Sequence, residues 1–165
     1  MGMKNNFKTA LVAAVFAVSG AALAEVDEVT VDAVRTLWQN QHQALDAHDV
    51  DKVMATFADR DDIMLMGTGP GEHWVGPAEV KEAYAQFMKG FEANTMESKC
   101  GEGHGAKQDN VVWFTAVCTF TQQAQEQTQP QFVANLSAVV VKQDDSWRFH
   151  SMHFSHLTGK TDQKQ

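Results

Sequence analysis

The chain has 165 residues, 44% of them apolar and 21% charged, a balance that excludes disordered, collagen-like and coiled-coil architectures and fits one globular domain. Its 13 basic and 21 acidic side chains give a formal charge of −8. A nucleic-acid surface needs a basic stripe, so nucleic acid is not an expected partner.

Residues 1–24 read as a leader. Lys4 and Lys8 form a positive start, Ala10 to Val18 an apolar run, and Ala22-Leu23-Ala24 a small-x-small cleavage site, in the order of a secretory signal peptide. The apolar run falls short of the roughly 20 residues a spanning helix needs. Cleavage after Ala24 is therefore expected to release residues 25–165 as one acidic domain with no membrane anchor, periplasmic or secreted. No Cys follows the cleavage site, so a lipoprotein anchor is not supported.

From Thr30 onward, Val31, Val34, Trp38, His42 and Leu45 recur at spacings of three and four and predict one face of an amphipathic helix, with Thr30 as a cap. Asp49 can cap a short second helix that presents Val50, Val53, Met54 and Phe57. Ile63 to Met66, the turn Gly67 to Gly71, and Glu72 to Val75 read as a β-hairpin. Pro77 suits the first position of a third helix, continued by Val80, Tyr84, Phe87, Met88 and Phe91 and ending near Asn94.

Four strand-like segments follow: Thr95 to Gly103, Val111 to Gln122, Phe132 to Lys142 and Trp147 to Leu157. In the second, Val112, Phe114, Ala116, Cys118 and Phe120 form the more apolar face, expected to look toward the helices. The glutamine-rich TQQAQEQTQP reads as an exposed arm between strands. Cys100 and Cys118 flank GEGHGAKQDN. A turn centred near Asp109 would set them opposite each other across an antiparallel pair, which predicts a disulfide; two buried free thiols are the alternative. The order predicts an α+β fold, with three helices from the N-terminal half packed into a curved antiparallel sheet.

This order and three stretches carry a resemblance. ALDAHDVDKVMATFADRDDI, PGEHWVGPAEVKEAY and WRFHSMHFSH, the last including Trp147, His153 and Ser155, are similar to the SnoaL-like branch of the nuclear transport factor 2-like superfamily, related to ketosteroid isomerase and to the association domain of calcium/calmodulin-dependent protein kinase II. The resemblance implies a cone-shaped α+β roll with a pocket between the concave sheet and the helices, and a homodimer formed through the sheet. It also shows departures. Ketosteroid isomerase-like chemistry uses a Tyr and a protonated acid as an oxyanion pair. The single tyrosine here, Tyr84, falls on the third helix, and Asn135 stands near where relatives place an Arg.

The remaining chemistry rests on histidines. His153 and Ser155 share one face of the last strand, and His150, Met152, Phe154 and His156 share the other. His42 on the first helix and His153 are the candidate acid/base residues, each with a purely structural alternative. The pocket is expected to draw on Trp38, His42, Met64, Met66, Trp74, Phe114, His153 and Ser155, although Trp74 could equally pack beneath the third helix. Met64-x-Met66 puts two thioethers on one strand face, as soft Cu(I) requires, but core filling explains them as well and no compact set of three ligands is visible. No metal and no cofactor is expected.

Two functions stay open. One is a module that binds a small apolar ligand or dimerises without turnover. The other is a small-molecule lyase or isomerase using a pocket His as general acid/base.

Overall fold

The computed structural model describes residues 26–123 and 132–156. The expected leader, most of the glutamine-rich arm and Leu157 lie outside them. Helix α1 spans Glu28–Asp46 and α2 spans Val50–Met54. Strands β1 (Met64–Met66) and β2 (His73–Val75) form the hairpin before α3 (Pro77–Met88). Then come β3 (Met96–Cys100), β4 (His104–Gln108), β5 (Val111–Gln122), β6 (Phe132–Gln143) and β7 (Ser146–Ser155).

Local chemistry sets the boundaries. The cap of α1 is Asp27, whose carboxylate accepts from the Thr30 backbone N–H and hydroxyl at 2.9 Å each, so Thr30 lies inside the helix and is not its cap. Lys107 on β4 donates to Asp27 at 2.8 Å and to Thr30 Oγ1 at 2.9 Å, tying the start of α1 to the sheet. Asp49 accepts from the Lys52 N–H at 3.0 Å and caps α2. Gly76, at φ 85°, makes the turn that lets Pro77 open α3. That helix stops at Met88, six residues before the expected Asn94. Asp144 and Asp145, at φ 48° and 60°, form the two-residue turn that returns β6 into β7.

One seven-stranded sheet runs in the order β2-β1-β7-β6-β5-β3, with β4 also on β5. It is mostly antiparallel, as expected, with one parallel pair, in which Met64, Leu65 and Met66 run beside Ser151, Met152 and His153. The expected segment Thr95 to Gly103 ends early as a strand, and β4 is an additional one. Cys100 pairs directly with Cys118 and His104 with Thr115, so the register slips by one residue across Gly101–Gly103. The Cys100–Cys118 disulfide is formed.

The core lies between the helices and the concave face of the sheet. Val53, Ile63, Val80, Leu136, Val140, Phe149 and Met152 are each at most 1% exposed. On α1 the buried stripe is Thr30, Val34, Leu37, Gln41, Ala44 and Leu45. It is rotated from the expected face, leaving Val31 38% exposed and Trp38 and His42 half-buried. On β5, Val112, Cys118 and Phe120 are buried, so the apolar face does look toward the helices.

Candidate ligand-binding site

A cavity of about 360 Å³ lies between the helices, the β1–β2 hairpin and the sheet. Helix α1 brings Gln41 and His42 to it and α3 brings Ala83 and Tyr84. The hairpin adds Glu72 and Trp74, and the sheet closes it with Phe120, Phe132 and Phe154. The walls are mostly apolar, with a few polar groups, the usual construction of a small-molecule site.

Each polar group has a defined state. The Gln41 amide donates to the Tyr84 oxygen at 2.8 Å, and the Tyr84 hydroxyl donates toward Met152 Sδ at 3.7 Å. Burial pushes the Tyr84 phenol well above its ordinary range, so it remains protonated. Gln41 is 1% exposed, yet its Oε1 has no partner. The His42 ring lies 4.0 Å from Trp38 and 5.5 Å from Phe120, centroid to centroid. Burial pushes its pKa down to about 3, and its shielded Nε2 has no partner. The imidazole is therefore neutral around pH 7, and no carboxylate bonds to that nitrogen. General acid–base work calls for a pKa near the working pH, so the arrangement suits holding a ligand better than moving its protons.

Glu72 serves the hairpin as well as the cavity. Its carboxylate accepts from the Gly69 N–H at 2.7 Å and packs over Gly67, where a β-carbon would collide with it. A side chain at residue 67 would displace the Glu72 carboxylate from this position.

The structure divides the expected pocket residues between the two faces of the sheet. His42 and Trp74 line the inner cavity, and Trp38 packs against His42 with its ring tilted by 49°. Met64, Met66 and His153 instead border a groove of about 390 Å³ on the outer face, beside His73, His104 and Trp113. Cross-strand register aligns His73, Met66, His153, Ser137, Thr115 and His104 in one row. Ser155, in register with the exposed Asn135, follows His153 on that strand face. Phe114 borders another groove, against Val34 and Trp38 of α1. His42 and His153 therefore do not converge, which corrects the two-histidine arrangement.

The cause is a β-bulge. Between Val139 and Val140 the register with β7 shifts: Val140 faces Phe149, but Val139 faces Ser151, so His150 is the extra residue. Trp147 and Phe149 point inward before it, and Met152 is buried after it. The inward face passes from odd to even residue numbers, which sends Phe154 into the cavity and His153 outward. Sequence reasoning also passed over Tyr84 and Gln41. Tyr84 stood out as the single tyrosine but sat on an unexpected helix, and Gln41 lies on the stripe that the rotated α1 buries.

The SnoaL-like domain profile matches residues 34–159. Among solved structures, an NTF2-like protein of unknown function from Pseudomonas putida superposes with a TM-score of 0.67 at 14% identity, over 85% of this chain and 95% of that one. A "putative dehydratase from the NTF2-like family" of Streptomyces avermitilis gives 0.67 at 16% identity, over 79% and 98%. A "putative calcium/calmodulin dependent protein kinase II association domain" of Xanthomonas campestris gives 0.65 at 20% identity, over 85% and 95%. No curated protein matches the chain. At these identities the structural likenesses carry the fold alone.

Proposed function

Because this chain belongs to the SnoaL-like domain family, whose architecture supplies a cavity and not a fixed chemistry, we propose that it is a binding protein for a small, largely apolar ligand held between α1, α3, the hairpin and the sheet. The observation that carries this reading is a cavity of ligand size with mostly apolar walls, two of whose lining residues, Gln41 and His42, keep unpartnered polar atoms at Oε1 and Nε2. Buried polar atoms without partners are rare because each costs free energy, and a ligand supplying the missing bonds removes that cost.

A lyase or isomerase using the histidine of this cavity would need His42 to exchange a proton near neutrality, and burial holds its pKa at about 3. The dehydratase description belongs to the Streptomyces avermitilis protein. Under the binding reading the protein is exported, an assignment supported by the leader-like residues 1–24 and by a disulfide that suits an oxidising compartment. It pairs as a homodimer through the outer face of the sheet, where Met66, Val117 and Val133 are 40%, 53% and 52% exposed.

Ala83→Trp, which fills the cavity from α3, tests the site. Titration with N-phenylnaphthylamine, a dye that brightens in apolar surroundings, is expected to saturate on the parent protein and to weaken at least tenfold on the variant, with unfolding midpoints matched. Equal dye binding by both proteins would remove the cavity as the ligand site.

A further inference from the structure

The only formal charge that the described residues bring to the lining of the cavity is negative. The Gln41 N–H is already given to Tyr84, and the Tyr84 O–H is directed at Met152. What remains is the unpartnered Gln41 carbonyl oxygen, a neutral imidazole with one donor and one acceptor nitrogen, the Trp74 indole and Thr68 hydroxyl, and the carboxylates of Glu72 and Glu82, which accept from the Gly69 N–H and the Gln86 amide and keep further acceptor capacity. Among the described residues, no Lys or Arg lines the cavity. Lys89 donates to Oε1 of the lining residue Gln86 at 3.0 Å but is not itself part of the lining. Around these acceptors stand Trp74, Phe87, Phe120, Phe132 and Phe154, whose ring faces carry negative quadrupole potential.

We propose that the cavity selects an organic cation: a protonated or quaternary amine on an aromatic or aliphatic body, with the amine toward Gln41 and the carboxylates and the body among the aromatic rings. This rests on the binding reading above and specifies its ligand. An ammonium satisfies acceptors that a carboxylate ligand would leave unpaired, and aromatic faces attract it further. A carboxylate would meet Glu72 and Glu82 with no cation to offset them, so like-charge repulsion excludes it.

Three molecules on one skeleton separate the possibilities: phenylbutylamine, phenylbutanol and phenylbutyrate, each competed against N-phenylnaphthylamine on the parent protein and on Ala83→Trp at physiological ionic strength. The expected order is amine tightest, at least tenfold ahead of the alcohol, with the carboxylate weakest and all three lost in Ala83→Trp. Glu72→Gln, whose amide oxygen can still accept from Gly69, narrows the gap between amine and alcohol, and Glu82→Gln gives an independent check. Amine and alcohol of equal affinity, or a carboxylate as tight as the amine, would overturn the charge selection while leaving the binding site in place. If none of the three competes while the dye still separates the parent from Ala83→Trp, the charge selection falls and the binding site stands; if competition is unchanged in Ala83→Trp, both readings fall together.

Discussion

Gln41 and Tyr84 are joined across the helices by a hydrogen bond of 2.8 Å, the amide of α1 donating to the phenol of α3 with both side chains buried. The bond also fixes how Gln41 presents its other end, since an amide whose nitrogen is engaged leaves its oxygen directed elsewhere. Tyr84→Phe strands the buried Gln41 N–H, and the expected loss is about 1–3 kcal/mol. Adding Gln41→Leu removes the stranded donor, so the double variant is expected to be less destabilised than the two single losses combined. Urea midpoints of the four proteins measure this, and strict additivity would show that the two groups do not interact.

His42 makes stability depend on pH with a definite sign. In the unfolded chain its imidazole takes up a proton as the pH falls through about 6.5, whereas in the folded protein burial delays uptake to about 3. Between those values the unfolded state binds more protons, so stability falls as the pH drops, by about 2 kcal/mol between pH 7 and pH 5. His42→Phe keeps an aromatic ring beside Trp38 and Phe120 but removes the titration. Urea unfolding at both pH values is expected to show a smaller loss in the variant, and identical losses would mean that His42 is not held neutral.

The disulfide closes a segment 18 residues long in sequence and bolts β3 to β5, in which Cys118 is fully buried. Closing a loop of that size removes conformational freedom from the unfolded chain worth about 3 kcal/mol. Reduction with dithiothreitol is expected to lower the unfolding free energy by about that amount and to raise hydrogen exchange in Met96–Cys100 before the rest of the sheet. Uniform acceleration of exchange across all strands would contradict this local role.

The homodimer proposed above rests on the exposed apolar side chains of the outer face. Val117→Glu places a charge on the exposed face of β5 beside Asn135 and near Val133 of β6, and under the proposed homodimer it is expected to shift sedimentation from dimer to monomer without altering the far-ultraviolet dichroism. An unchanged sedimentation coefficient would move the interface elsewhere or remove it.

Much of the fold was legible because helix caps, turns and alternation act locally. Asp49, Pro77, the β1–β2 hairpin and the Cys100–Cys118 pairing all follow from residues within about twenty positions of one another. The site was less legible because its inward face is decided by one inserted residue. Strict alternation from Trp147 carries His153 into the cone, and the bulge at His150 reverses that parity for every residue beyond it. The rotation of α1 has a similar origin. Val31, Trp38 and His42 are apolar or aromatic enough to mark a face, but packing against α3 selects Gln41, whose partner Tyr84 lies far along the chain. Neither long-range choice leaves a mark in local periodicity.

The parallel placement of β1 beside β7 constrains the order of assembly. Met64 finds its neighbour in Ser151, near the end of the described chain, so the β1–β2 hairpin has only itself to pair with until the last strand arrives. A three-residue ribbon of that kind has little stability alone. During vectorial synthesis the side of the cavity bearing Glu72 and Trp74 must therefore be sealed last, and a chain shortened before residue 151 would lack the strand that seats it.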